Sequence, residues 1–294
     1  MLEYARAFMT ELGFENEAVE ALCADLEKIL ACEEANKLFC EILADYEADI
    51  YTDFHAVLDR ATEAGSLAGV HKFTAHMLIF VLMSRHLREC YRKEGIDDAI
   101  FLDSMCDLKW KLWECKMLSG FYGTRVGSWH RDFFRLRLFA LGRLQFEIRP
   151  FRYTYDKKGY HLEPTTRVLG VHVPRMPMPF SEEKCDESFA RAKTFFADRL
   201  GDGPMVFVCG SWLMFPGNEQ ILHEKSNIRK FMSRFEIISQ SYYEDCNELW
   251  SVFDMEYTGN IEDFPEDTHL RKAYKDHLRS GGKLGSGFGI FFAE

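Results

Sequence analysis

The sequence predicts an α+β protein in two parts: an all-helical N-terminal domain over 1–125 and a mixed, partly parallel α/β sheet domain over 126–294. Three observations predict it. Through the first 120 or so residues apolar side chains recur with the helical period, and no stretch reads as a convincing strand. After "GFYGTRVGS" (120–128) the pattern changes to short apolar runs of strand length. Those runs then alternate with helix-length segments, the order that a partly parallel sheet with crossover helices requires.

In the helical half, Val19, Leu22, Leu26, Ile29 and Leu30 make one stripe, and Leu38, Phe39, Ile42, Leu43 and Tyr46 make the next. Phe54, Val57, Leu58 and Ala61 follow, closed by Gly65 and Gly69. Residues 70–91 are apolar nearly all round at "MLIFVLM", which predicts the central helix of a bundle. Phe101, Ser104, Met105, Leu108, Leu112 and Trp113 form a last stripe that starts after "GIDD" and stops at Gly120.

The second half opens with a helix expected over roughly 129–140. "RLQFEIRPFRY" then alternates, with Leu144, Phe146 and Ile148 on one face and Gln145, Glu147 and Arg149 on the other. "YDKKG" reads as a turn, and "RVLGVHV" (167–173) is apolar on both faces, as a central strand is. Ser181 opens a helix with Cys185, Phe189, Ala192, Phe196 and Leu200 inward. "MVFVC" (205–209) is another buried strand, followed by helical pieces at 218–224 and 226–235. "EIISQSYY" and "LWSVFDM" read as two strands joined by "EDCNE", and a helix near 268–280 precedes a last strand, "LGSGFGIFF". Gly285, Gly287 and Gly289 leave one face of that strand bare, which admits the close approach of a helix or a ligand; a helix is the expectation.

A net charge of −11 argues against nucleic-acid binding, which needs a basic face. The imbalance is local. Residues 1–50 hold 13 acidic and 3 basic side chains, a net of −10, whereas residues 101–200 hold 18 basic and 12 acidic, a net of +6. An acidic helical front reads most simply as solvation. Arg125, Arg131, Arg135, Arg137 and Arg143 cluster at the change of pattern, where guanidinium groups suit either intramolecular pairing or a phosphorylated ligand. The nine cysteines are odd in number and show no C-x-x-C pair, which fits a reducing compartment. "MLEYARAFMTELGFENE" has neither a basic nor a long apolar leader segment, so no signal peptide is expected. The longest apolar run, Met77 to Met83, has seven residues against the about 20 that span a bilayer. The expectation is a cytoplasmic protein without membrane contact. Nothing in the sequence bears on its oligomeric state.

No metal site is expected, since His71 and His76 are five apart and diverge on a helix. Gly210-Ser211 lacks the G-x-S-x-G pattern of a nucleophile elbow.

The words "LGRLQFE" (141–147), "VLGVHVP" (168–174), "CDESFARAKTFF" (185–196), "FVCGSWL" (207–213), "SNIRKFMSRFEI" (226–237) and "DHLRSGGKLGSGFG" (276–289) resemble a two-domain family of bacterial acyltransferase-like proteins. Its members join a helical N-acyltransferase N-terminal domain to a GNAT-like C-terminal domain. The resemblance implies a mixed sheet split like a V between its fourth and fifth strands, with the pantetheine arm of an acyl-CoA or acetyl-CoA co-substrate lying in the split. "VLGVHVP" would be the fourth strand and "MVFVCGSWL" the fifth, so backbone groups of Val171 and Val173 would pair with the pantetheine amides. Arg175 would open the phosphate loop, and the helix starting at Ser181 would point its N-terminus at the pyrophosphate.

The loop departs from the family pattern, which places glycines between strand and helix. Here Pro174, Pro177 and Pro179 each remove a backbone donor, and Glu182 and Glu183 would repel a phosphate. Acyl transfer to an amine needs a base for the amine proton and an acid for the departing thiolate. The candidates are Cys209 and Ser211 at the fifth strand, His172 on the fourth, and Glu147 if its face lines the cleft. Each has a plainer reading: Cys209 as packing, Ser211 as a cap, His172 as a hydrogen-bonded core histidine, and Trp212 as core. Three functions follow: an acyl-CoA-dependent N-acyltransferase with a small-molecule or peptide amine acceptor, a GNAT-like scaffold that binds partners without CoA, and a thiol enzyme pairing Cys209 with His172.

Overall fold

The computed structural model describes residues 1–200 and 205–293, and the chain divides into two compact units, Met1–Ala140 and Leu141–Glu294. The first unit is built from six long helices: α1 (Leu2–Glu11), α2 (Asn16–Ala31), α3 (Glu33–Ala48), α4 (Phe54–Leu67), α5 (Lys72–Lys93) and α6 (Asp98–Ser119). Local chemistry sets their ends. Asp53 Oδ1 accepts from the His55 N–H at 3.0 Å and Asp97 Oδ1 from the Ala99 N–H at 2.8 Å, each satisfying a first-turn amide that the helix leaves without a partner. α6 stops at Gly120, whose φ of +76° is a left-handed conformation that glycine adopts without strain.

α5 is buried on nearly every side, from Thr74 and Ala75 through Met77–Ser84 to Leu87 and Tyr91, and touches every other long helix of the unit. Its apolar periphery makes it the axle of the bundle: fully burying a side chain such as Phe80 contributes roughly 1.5–3 kcal/mol. Among the described residues no single helix is long and apolar enough to cross a membrane.

The helix expected over 129–140 is cut short. α7 spans only Arg131–Phe134, and Leu138–Ala140 form a short strand, β1. The Phe134 carbonyl that would continue the helix instead accepts from the Tyr46 hydroxyl at 2.6 Å, and Leu136 turns the chain at φ +52°. Arg135 Nη2 donates to the Tyr51 and Thr52 carbonyls at 3.2 and 2.8 Å, and Arg137 lies 5.1 Å over the Tyr51 ring. These two arginines therefore pair within the molecule, with backbone carbonyls and an aromatic ring.

In the second unit the strands are β2 (Gln145–Pro150), β3 (Tyr155–Lys157), β4 (Tyr160–Leu162), β5 (Arg167–His172), β6 (Met205–Ser211), β7 (Glu236–Tyr242) and β8 (Gly285–Ala293). The helices are α8 (Glu182–Leu200), α9 (Asn218–Ile221), α10 (Asn227–Met232), α11 (Trp250–Phe253) and α12 (His269–Arg279). The sheet runs β2-β5-β6-β8-β7, with β5 and β6 parallel and every other pair antiparallel. This is the helical domain and mixed, partly parallel sheet that the sequence predicts.

β3 and β4 pair as a separate hairpin around Lys158 and Gly159, where only a turn was expected. "LWSVFDM" is a larger departure: it forms a short 3-10 turn and α11 rather than a strand. Leu249, Val252 and Phe253 are spaced three and four apart, so one helical face buries all three against Phe264, Tyr274 and Leu278. The place next to β7 that a strand would take is filled by β8, which inserts between β6 and β7.

The two faces of the sheet differ. Phe146, Phe207 and Phe291 meet Phe189 of α8 with ring centroids 5.0–5.8 Å apart. On the opposite face Val168, Val206, Val208 and Ile290 pack with Phe151 and with Tyr155 and Leu162 of the hairpin. The bare face of β8 is filled by protein: a Cβ on Gly287 would lie 2.1 Å from the Met214 carbonyl oxygen, in the 3-10 turn Trp212–Met214.

Candidate functional site

The parallel ladder between β5 and β6 is short. Its paired residues are Leu169 with Phe207 and Gly170 with Val208, although β5 continues to His172 and β6 to Ser211. On their outer sides both strands stay paired to the end, β5 with β2 as far as His172–Gln145 and β6 with β8 as far as Ser211–Gly287. The sheet therefore splits between Val171–His172 and Cys209–Ser211, held open from both sides.

Register decides what faces the split. Gly170 and Val208 are partners, so His172 and Gly210 lie two residues further along on the hairpin face, and Val171 and Cys209 lie on the α8 face. Glu147 pairs with Gly170 across β2, which puts Glu147, Arg149, Gly170 and His172 on one face. There Glu147 Oε1 lies 3.0 Å from His172 Nε2 and 3.2 Å from Arg149 Nη1. Gly170 makes the room: a Cβ at that position would come within 2.7 Å of Arg149 Cδ and 3.1 Å of Glu147 Oε1. The structure thus joins two of the four expected catalytic residues and adds Arg149, which sequence reading passed over. Its signal was present, since "QFEIRP" puts three polar side chains on one face of a strand, more than a covered sheet face needs.

Cys209 is separated from that pair. It points to the α8 face and is 2 % exposed, and burial pushes its thiol up to about 12. A thiol enzyme pairing Cys209 with His172 would need both side chains on one face, and the register places them on opposite faces. Ser211 stands at the end of β6, where its Oγ accepts from the Leu213 N–H at 3.2 Å and caps the 3-10 turn.

The expected cofactor residues also have definite places. Val171 is buried on the α8 face, and Val173 follows the last residue of β5 at the split. Ser181 Oγ accepts from the Lys184 N–H at 3.3 Å, so it caps α8. Lys230 Nζ lies 2.7 Å from Glu182 at the helix start. Arg175 is ion-paired with Asp254, a residue in left-handed conformation (φ +59°) whose carboxylate also receives Arg271. Arg143 secures the loop between strand and helix, donating from Nη1 to the Pro174 carbonyl at 2.9 Å and lying 5.1 Å over the Phe180 ring.

Beside the split, on the hairpin face, lies a cleft of about 430 Å³. Its lining includes Gly210, Ser211, Phe288 and Ser286 of the sheet and Trp250 and Ser251 of α11. Among the described residues no group of three His, Cys, Asp or Glu side chains is arranged to hold a metal ion.

Residues 3–136 match the N-acyltransferase N-terminal domain, and residues 138–291 match the GNAT-like C-terminal domain. The chain belongs to this two-domain N-acyltransferase family. The members' fold recurs in solved structures. A mutant acyltransferase in complex with octanoyl-CoA superposes with a TM-score of 0.75 at 22% identity, over 99% of this chain and 88% of that one. An acyltransferase in complex with decanoyl-CoA and teicoplanin gives a TM-score of 0.65 at 22% identity, over 99% of both chains. The same values of TM-score and coverage hold at 21% identity for an acyltransferase with CoA and 10C-teicoplanin. At these identities the likeness shows the fold. No curated protein matches the chain.

Proposed function

We propose that this member of the N-acyltransferase family transfers an acyl group from acyl-CoA to an amine, with the thioester placed in the split between β5 and β6. The observation that carries the reading is the Glu147–His172 pair at 3.0 Å, set on the face of the split one step beyond the last ladder pair. Solved structures of the same fold that contain octanoyl-CoA, decanoyl-CoA and CoA support the donor, and two that contain teicoplanin support a small-molecule acceptor.

The chain's residues divide the work. Backbone groups of Val171 and Val173 lie along the edge that the ladder leaves at the split and would pair with the donor's amides. In the tautomer that donates Nε2–H to Glu147 Oε1, the carboxylate orients the ring and leaves its lone pair on Nδ1 for the proton transfer. The acceptor nitrogen attacks the thioester carbonyl, His172 takes the proton that the nitrogen sheds, and the C–S bond breaks with the electron pair leaving on sulfur. The same imidazolium returns the proton to the thiolate. Cys209 has no part in this sequence.

A scaffold that binds partners without CoA is favoured by one observation: the loop after β5 carries three prolines, and its cation Arg175 is engaged by Asp254. Calorimetric titration with CoA, acetyl-CoA and octanoyl-CoA decides between the two. The transferase reading expects saturable binding, and His172→Gln is expected to bind as tightly while losing about 10²–10⁴ in kcat. Absence of binding by all three ligands establishes the scaffold instead.

A further inference from the structure

The second unit holds another cavity, of about 410 Å³, at the end of the sheet away from the split. It forms where β8 outruns β7. Their last pair is Glu236 with Ile290, whereas on its other side β8 stays paired with β6 as far as Met205–Ala293. Ahead of β7 the chain turns away into α10, with the Phe235 N–H donating to the Met232 carbonyl at 3.0 Å. Among the described residues no strand therefore pairs with Phe291–Ala293 on the β7 side, which leaves an open edge of about 10 Å at the rise of a strand. Such an edge is a template for an added strand.

The walls decide which strand. On one face the β3–β4 hairpin covers the corner: the Tyr160 ring stacks on Phe292 with centroids 3.9 Å apart, and the hairpin turn carries Lys158. Lys158 Nζ lies 2.8 Å and Lys157 Nζ 3.0 Å from the Glu236 carboxylate, which also accepts from the Tyr155 hydroxyl at 3.0 Å. Two ammonium groups thus share one carboxylate, and each keeps further N–H donors for a ligand. Arg234, just ahead of β7, is paired with Asp186, and its Nε is buried without a hydrogen-bond partner. The charges lining the cavity, Lys158 and Arg234 against Glu236, leave an excess of one positive charge at the β7 end of the open edge. Direction follows from that excess. A strand laid on the edge antiparallel to β8 continues the line of β7 and brings its carboxyl end to Lys158 and Arg234. A parallel strand would bring an ammonium group there, which those cations repel.

We propose that this corner is a peptide-binding site: it takes the C-terminal end of an extended polypeptide, added antiparallel to the open edge of β8, with the terminal carboxylate held by Lys158 and Arg234. The added residue opposite Phe292 shares its face of the sheet and packs against the Phe292 and Tyr160 rings, so an apolar side chain is expected there. The site lies at the other end of the sheet from His172, and the proposal does not rest on the transferase reading.

The test uses the peptide Gly-Ser-Thr-Phe-Val, labelled with fluorescein at its amino end, as the free acid, as the C-terminal amide, and as free acids N-methylated at one backbone amide each. Each is titrated with the full chain and followed by fluorescence anisotropy. The free acid is expected to saturate at least about ten-fold more tightly than the amide, the effect of one charge-assisted contact. Lys158→Asn removes the ammonium group and suits the left-handed turn at φ +55°; it should weaken the acid by about ten-fold and leave the amide unchanged. Strand addition turns alternate N–H groups toward β8, so methylation should abolish binding at every second amide and spare those between. No binding of the free acid, equal binding of acid and amide, unchanged binding in Lys158→Asn, or a uniform response to N-methylation overturns the proposal. Acetate binding as tightly as the peptide does so too, since it reduces the site to a carboxylate pocket. A dimer in sedimentation velocity that Lys158→Asn dissociates also overturns it, by making a second copy of this chain the occupant.

Discussion

Acid should act on the helical unit most directly through His130. The ring is 1 % exposed, with Nε2 3.3 Å from Thr124 Oγ1, Nδ1 3.8 Å from Asp107 Oδ2 and the Phe80 ring 5.0 Å away. Burial lowers its pKa to about 4, against the pull of Asp107, where the unfolded chain has about 6.5. The folded state therefore resists a proton that the unfolded state accepts. The resulting stability is fully present above pH 6.5, falls away as the pH drops toward 4, and is constant below that. Linkage between those two values gives a loss of about 2.5 kcal/mol from pH 7.5 to pH 4.5. Urea unfolding followed by far-ultraviolet circular dichroism at the two pH values, for the unaltered chain and for His130→Gln, measures it. The variant is less stable at both, because it loses packing, but that loss cancels in the difference between pH values. Carboxylates such as Glu236, held down to about 2 by Lys158 and Lys157, titrate alike in both chains. The unaltered chain should lose about 2.5 kcal/mol more than the variant between the two pH values. Equal losses in the two chains would refute the assignment of the acid sensitivity to His130.

Two further substitutions test the sheet unit. Gly287→Ala drives a methyl group into the Met214 carbonyl, which sits in a packed turn rather than at the end of a flexible side chain, and should destabilise the unit by about 1–3 kcal/mol or more; an unchanged melting temperature contradicts the close approach. Cys209→Ala should keep turnover near that of the unaltered chain at a stability cost of about 1 kcal/mol, since the thiol is neutral and faces α8, and complete loss of turnover in a folded variant would put the thiol back in the chemistry.

The helical unit was legible because its elements are long and each carries its own period: the stripe of α2 needs no partner to be read. The failures lie where a segment is short or its carbonyls are claimed from afar. Residues 129–140 carry helical spacing, but Tyr46, 88 positions away, takes the Phe134 carbonyl, and no local pattern announces that. "LWSVFDM" is too short for periodicity to separate strand from helix, and the arbiter is the place of β8, fixed by pairing with strands far earlier in the chain. The site shows the same division. Glu147 and His172 were visible as candidates, but their meeting depends on the β2–β5 register, and the exclusion of Cys209 depends on Gly170 pairing with Val208 rather than with a neighbour. The cleft was the least legible feature, because its hydroxyl groups come from β6, β7, β8 and α11, and only the sheet order gathers them.

The loop between β5 and α8 remains the point at which this chain departs most from a phosphate-binding turn, and its geometry limits how a donor can be held there. Prolines at 174, 177 and 179 have no amide hydrogens to offer, and Ser181 spends its hydroxyl on capping α8. Arg143 fixes the loop from beneath through the Pro174 carbonyl and Phe180. The one cation in the loop, Arg175, shares the Asp254 carboxylate with Arg271, and Asp254 directly follows α11, whose Trp250 and Ser251 line the cleft. A donor's phosphates would engage Arg175 only by replacing the Asp254 carboxylate, which exchanges one ion pair for another and leaves little net gain. On the proposed transferase reading, affinity for the donor would then come mainly from the strand edge at Val171–Val173 and from burial of the acyl chain. On that argument Arg175→Ala should weaken CoA binding far less than a phosphate-clamping arginine would, while loosening the wall that α11 gives the cleft beside the split.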